Sequence, residues 1–194
     1  MLQRLELSAG ETGAERQGRI RRALREAGRS PALVISGSFE GDVADARAHA
    51  DTVNLLIDAT VPVVTLISGP IGPQGFGLML AADHAILGPD ARVVGNWRRA
   101  SGAMALARNR CGPLLAHRMA FAPSVDPLML LSDSGFATRA ADPALVLEEM
   151  IARFAENGLG RRLKRSLRAA SELPLKEALS FDFWFTHAQD DSAR

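Results

Sequence analysis

The stretch from Val61 to Ala82 constrains this chain more than any other. VPVVTLI (61–67) is an unbroken apolar run rich in β-branched residues. Such a run, closed by a turn, fits a strand buried on both faces, which usually means a parallel sheet covered by helices. It leads into the glycine-rich turn Gly69-Pro70-Ile71-Gly72-Pro73-Gln74-Gly75-Phe76-Gly77, and that turn into an apolar helix at Leu78–Ala82. A second run of the same kind, ALVIS (32–36), lies between Pro31 and Gly37.

The rest of the chain is read around these two strands. Leu2, Leu5 and Leu7 mark an edge strand. Thr12 caps a helix to about Ala27, with Glu15 completing a capping box; its Arg19, Arg21, Arg22 and Arg25 are read as a solvated face. Asp42 or Asp45 caps a second helix through about Ala59. Strands follow at Ala85–Leu87 and Val93–Val94. Beyond Gly102 the pattern is helical: Ala103–Arg110, Pro113–Ala120, Pro127–Leu131, Ala144–Glu156, Arg161–Ala170 and Leu175–Thr186. Alternation first and helices later predict an α/β core over 1–140 and C-terminal helices over 141–194, forming one structural unit.

Composition excludes several function classes. The 194 residues carry a net charge of +1, so no global field draws nucleic acid or an anionic membrane. The single cysteine rules out an internal disulfide framework and a cysteine-built zinc site, and no metal site is expected. No run reaches the roughly 18 apolar residues of a membrane span. The start MLQRLELSAGE has no apolar signal core, which predicts a cytoplasmic protein.

A glycine-rich turn opening a helix presents backbone N–H groups to negative charge. The G-x-x-G-x-G spacing is neither the dinucleotide fingerprint nor a P-loop, so phosphate fits poorly and an oxyanion fits better.

The residues that carry a family likeness are Ala32–Gly37, Val61–Val64, Ser68-Gly69-Pro70, Gly75-Phe76-Gly77-Leu78, Ala81-Ala82-Asp83 and Ala91. Further along are Arg108, Gly112, Ala116, Pro127–Ala137, Lys164 and Leu167. In combination they resemble the enoyl-CoA hydratase/isomerase (crotonase) family over about residues 32–185. The resemblance implies a spiral of ββα units with C-terminal helices that assemble a homotrimer or hexamer. It also implies an acyl thioester, on coenzyme A or a phosphopantetheine carrier, held by its carbonyl oxygen between two backbone N–H groups. No other cofactor is expected.

Carried over residue by residue, one oxyanion donor of the family falls on Gln74, and the other on Glu40 or Gly41. The two hydratase glutamates fall on Gly77 and Trp97. Neither can move a proton, so ordinary two-glutamate hydration is not expected. The first oxyanion segment is shortened to Ser38-Phe39-Glu40-Gly41-Asp42-Val43, and the N-terminus is short as well. Similar truncation occurs in crotonase-like accessory proteins of secondary metabolism, such as the dihydroxyphenylglycine pathway helper.

Asp42, Asp45 and His49 share a helix face by spacing. His49 could act as a base oriented by Asp45. The expected catalytic set is therefore Gln74, Gly41, Asp45 and His49, with Gly75, Gly77, Trp97 and Arg98 binding substrate. Asp83 is read as structural, Cys111 as an inert thiol, and the basic residues at 161–168 as a solvated, interface or coenzyme-contacting face. Phe181, Phe183, Trp184 and Phe185 are expected to pack on the body or on a neighbouring subunit. Two functions remain: a divergent thioester enzyme of bacterial secondary metabolism, or an inactive accessory subunit assisting another acyl-processing enzyme.

Overall fold

Every strand pair among the described residues is parallel, as the two apolar runs predict. The computed structural model describes residues 2–122 and 125–187, with side chains as far as Phe181. In chain order the first elements are β1 (Gln3–Leu7), α1 (Gly13–Glu26), β2 (Leu33–Gly37), α2 (Ala46–Ile57), β3 (Val63–Ile67), β4 (Pro70–Ile71) and α3 (Pro73–Ala81). Then come β5 (His84–Leu87), β6 (Arg92–Val93), α4 (Ala103–Phe121), α5 (Pro127–Asp133) and β7 (Ala137–Arg139). Three helices end the described chain: α6 (Pro143–Ala155), α7 (Leu159–Glu172) and α8 (Leu175–His187).

The large sheet has the order β1-β2-β3-β5-β7, so β1 is an edge as expected. A small sheet pairs β4 with β6, and Phe39 bridges to Ile71 beside it. After β2, β3 and β5 the chain thus adds an extended piece beside or within the small sheet (Phe39, β4 and β6) and then a helix. This is the expected ββα spiral.

Residues alternate across the large sheet. Leu33, Ile35, Val63 and Ile67 face a core shared with Ile20 of α1, Leu56 of α2 and Leu78 of α3. Val34, Val64 and Ile86 face the other way, onto Leu147, Met150, Ile151 and Phe154 of α6. With both faces covered, each fully buried aliphatic side chain contributes roughly 1.5–3 kcal/mol.

Some element bounds differ from the sequence reading. Helix α3 starts at Pro73, not Leu78: proline at the first helical position lacks only an N–H that the helix end would leave unbonded. Hence Gln74, Gly75 and Gly77 belong to the helix rather than to a turn. Of the two expected caps of α2, Asp45 is the one used, its carboxylate accepting from the Ala48 N–H at 2.9 Å. The sequence reading lacks two strands, β4, which it placed in the glycine-rich turn, and the three-residue β7. The Thr12–Glu15 capping box forms as read. The two helices expected either side of Gly112 form one run broken at that glycine (φ 79°, ψ 165°).

Arginine and lysine side chains fasten α7 to the body. Arg161 donates to the carbonyls of Ala27, Gly28 and Ser30. Lys164 donates to Asp83 at 2.7 Å and to the Val61 carbonyl at 3.0 Å. Asp83 also accepts from the Val63 N–H, which confirms its structural reading. These two cations are therefore engaged inward, not on a solvated face. Phe183, Trp184 and Phe185 of the expected aromatic cluster lie outside the described side chains. Among the described residues, no helix is long and apolar enough to cross a membrane.

Candidate functional site

The N-terminus of α3 meets the segment that follows β2, and the two backbones touch. The Gly72 N–H donates to the Phe39 carbonyl at 3.0 Å, and the Gln74 N–H donates to the Gly41 carbonyl at 3.2 Å. Glycine at 75 permits this approach, since a β-carbon there would collide with the Phe39 carbonyl. Gly41 itself is exposed and sits at φ 123°, a region that favours glycine. The amide expected to hold a thioester oxygen is thus bonded to the protein's own main chain.

His49 projects from α2 and is only 1% exposed. A β-carbon built at Gly77 would lie 2.5 Å from His49 Nε2 and 2.8 Å from Cε1. The imidazole therefore fills the space that a side chain at 77 would need. Both ring nitrogens are buried without a hydrogen-bond partner. Burial, reinforced by the positive charge of Arg16, pushes the His49 pKa down to about 4, so the ring is neutral at physiological pH.

Asp45 does not orient His49. Its carboxylate is committed to the cap of α2. The i,i+4 spacing suggested a pair, but helix capping claims the carboxylate. Sequence reasoning instead missed Arg16. Its guanidinium is 2% exposed and Nη1 donates to Gln74 Oε1 at 2.6 Å, with Glu11 3.5 Å from Nε. The available signal was periodicity: Arg16 falls in register with the buried stripe Ile20, Ala23 and Ala27.

Trp97 lies in a short 3₁₀ turn, Trp97–Arg99, at 6% exposure, with its ring centroid 5.0 Å from that of Phe76. It is a core residue. Arg98 stacks over the Trp97 ring and donates to the Met119 and Ala120 carbonyls, closing the C-terminus of α4. Of the eight expected site residues, Gly41, Gln74, Gly75, Gly77 and His49 meet at one place, with Trp97 packed beside α3. Asp45 and Arg98 serve helix ends. Cys111 donates to the Ala107 carbonyl, and burial raises its pKa, as for an inert thiol.

A cavity of about 1140 Å³ opens elsewhere, between α4, α6 and α7. Its lining includes Asp83, Arg110, Phe136, Leu163 and Lys164. It adjoins Asp83, just past the C-terminal end of α3, and Gln74 is at the other end. A nine-residue helix separates the two by roughly 13 Å.

Comparison with solved structures identifies the architecture. A protein assigned as an enoyl-CoA hydratase/isomerase from Mycobacterium abscessus superposes with a TM-score of 0.73 at 21% identity, covering 96% of this chain and 86% of that one. An enoyl-CoA hydratase/isomerase family protein from Silicibacter pomeroyi gives 0.71 at 19% identity, covering 97% and 96%. An enoyl-CoA hydratase from Polaromonas gives 0.71 at 18%, covering 96% and 88%. No protein-family model and no curated protein sequence matches the chain.

Proposed function

The chain has the crotonase fold, and we propose that on it the chain serves as an accessory subunit to an acyl-processing enzyme, without polarising a thioester itself. The observation that carries this reading is the hydrogen bond from the Gln74 N–H to the Gly41 carbonyl. Oxyanion stabilisation depends on preorganised donors aimed at the developing charge. Here the donor already has a main-chain acceptor. A substrate carbonyl would have to break that bond, worth about 1 kcal/mol net, and also move the Gly41 segment.

The proton carriers support the same reading. Gly77 and Trp97 stand at the two glutamate positions, and the second is packed against Phe76. Exposed leucines at 163, 167, 175 and 179 on α7 and α8 suit subunit assembly, as the family resemblance implies for its C-terminal helices.

One observation favours a second reading. The two unpartnered nitrogens of His49 stand over Gly77, where they could replace the missing glutamate as a base if a thioester displaced the Gly41 carbonyl.

The test is α-proton exchange of acetyl-, malonyl- and arylacetyl-CoA in D₂O, followed by mass spectrometry. The accessory reading predicts no exchange above buffer, and a rise in turnover when the chain is added in equimolar amount to an acyl-processing enzyme that it assists. Exchange that His49→Ala abolishes would establish the second reading instead.

A further inference from the structure

Helix α1 divides its residues sharply. Arg16, Ile20 and Ala23 face inward and are buried, as is Ala27 in the 3₁₀ turn Ala27–Arg29 that follows. Arg21, Arg22 and Arg25, with Arg29 of that turn, are exposed. At α-helical spacing Arg21, Arg22 and Arg25 fall within about a 100° arc and some 6 Å of axis, and Arg29 ends the turn that follows.

None of the four enters an ion pair among the described residues. Of the acids of α1, Glu15 closes the capping box, and Glu26, which accepts from Gln3 Nε2 at 2.9 Å, leaves the four arginines in excess on this side of the helix. The whole chain carries only +1, so this face concentrates positive charge on a nearly neutral protein. Like charges at i,i+4 destabilise a helix by roughly 0.2–0.5 kcal/mol per pair. An acidic partner would turn that repulsion into attraction.

We infer that the face formed by Arg21, Arg22, Arg25 and Arg29 is a docking surface for an acidic carrier protein bearing a phosphopantetheine-linked acyl group. The class of cargo rests on the acyl-processing reading above; the binding itself does not depend on whether the site turns over. Two other acidic surfaces fit less well. A membrane-surface helix must insert an apolar face, and that of α1 is buried in the core. Single-stranded nucleic acid calls for aromatic residues among the basic ones, and α1 has none.

Fluorescence anisotropy of a labelled holo-acyl carrier protein, titrated with the full chain, provides the test. Binding should weaken at least about fivefold between 50 and 300 mM NaCl. The fourfold variant Arg21→Glu, Arg22→Glu, Arg25→Glu, Arg29→Glu should weaken it about tenfold or more. Reversing Arg47, Arg108, Arg118 and Arg153 instead, an equal change in net charge on other helices, should leave it within about twofold. Thermal melts establish that both variants fold. The inference is overturned if the wild type does not bind the carrier, if both variants lose binding equally, or if free coenzyme A or duplex DNA binds this face more tightly than the carrier. Loss or gain of α-proton exchange leaves these outcomes unchanged, so the two readings fail separately.

Discussion

The His49 ring occupies the volume that a side chain at Gly77 would fill, with Nε2 2.5 Å from the position of an added β-carbon. Twenty-eight residues apart in sequence, the two positions are complementary: one carries no side chain where the other places its ring. Alanine at 77 must therefore push the imidazole or the α2 backbone aside. Gly77→Ala should cost about 1–3 kcal/mol by urea denaturation, and distinctly less when combined with His49→Ala. Additive effects would mean that the two residues do not share this space.

Acid should expose the buried imidazole. The folded pKa of His49, about 4, lies below the ordinary histidine value of 6.5. The unfolded chain therefore binds the proton more readily, and stability rises with pH across this window. The contribution is complete above pH 6.5 and disappears as pH falls toward 4, a loss of up to about 3 kcal/mol. Denaturation midpoints measured between pH 4 and 7 should fall steeply for the wild type and less for His49→Gln. Parallel curves would place the acid sensitivity elsewhere.

Arg16 ties α1 to α3 through Gln74. Arg16→Met should leave Gln74 Oε1 buried without its donor, at about 1–3 kcal/mol. Removing that positive charge should also raise the His49 pKa, since Arg16 is the second cause of its depression. Imidazole proton shifts followed by NMR against pH read this directly. A variant as stable as wild type, with an unmoved His49 titration, would contradict the assignment.

The Lys164–Asp83 pair fastens α7 to the sheet. Lys164→Met should destabilise the protein by about 3 kcal/mol, because Asp83 keeps the Val63 N–H but loses its cation. Limited proteolysis should then cut first in α7 and α8. Unchanged cleavage would show that the other ties of α7, such as Arg161 to the 27–30 carbonyls and Arg168 to Asp58, hold the helix without Lys164.

Much of the fold was legible because its signals are local. ALVIS and VPVVTLI announce buried parallel strands, and Thr12 with Glu15 announces α1. The start of α3 was misplaced because three glycines near Pro73 look like a loop, although proline at the first helical position was itself a helix signal. The site was legible only in part. The sequence shows Gly77 and Trp97 where the resemblance would put carboxylates, but the His49–Gly77 complement, the Arg16–Gln74 bond and the Gly41–Gln74 closure all join distant segments. Asp45 shows the opposite error: a spacing that suits a catalytic pair suits a helix cap equally well.

The central claim concerns one amide, and its ¹H–¹⁵N resonance can be observed while acyl-CoA is added. With the Gly41 carbonyl as acceptor, the Gln74 N–H should exchange slowly with solvent and hold its chemical shift at saturating acetyl- or malonyl-CoA. A large downfield shift of that resonance on adding the thioester, with slow exchange retained, would mean that the substrate oxygen replaces Gly41 and that the chain is an enzyme.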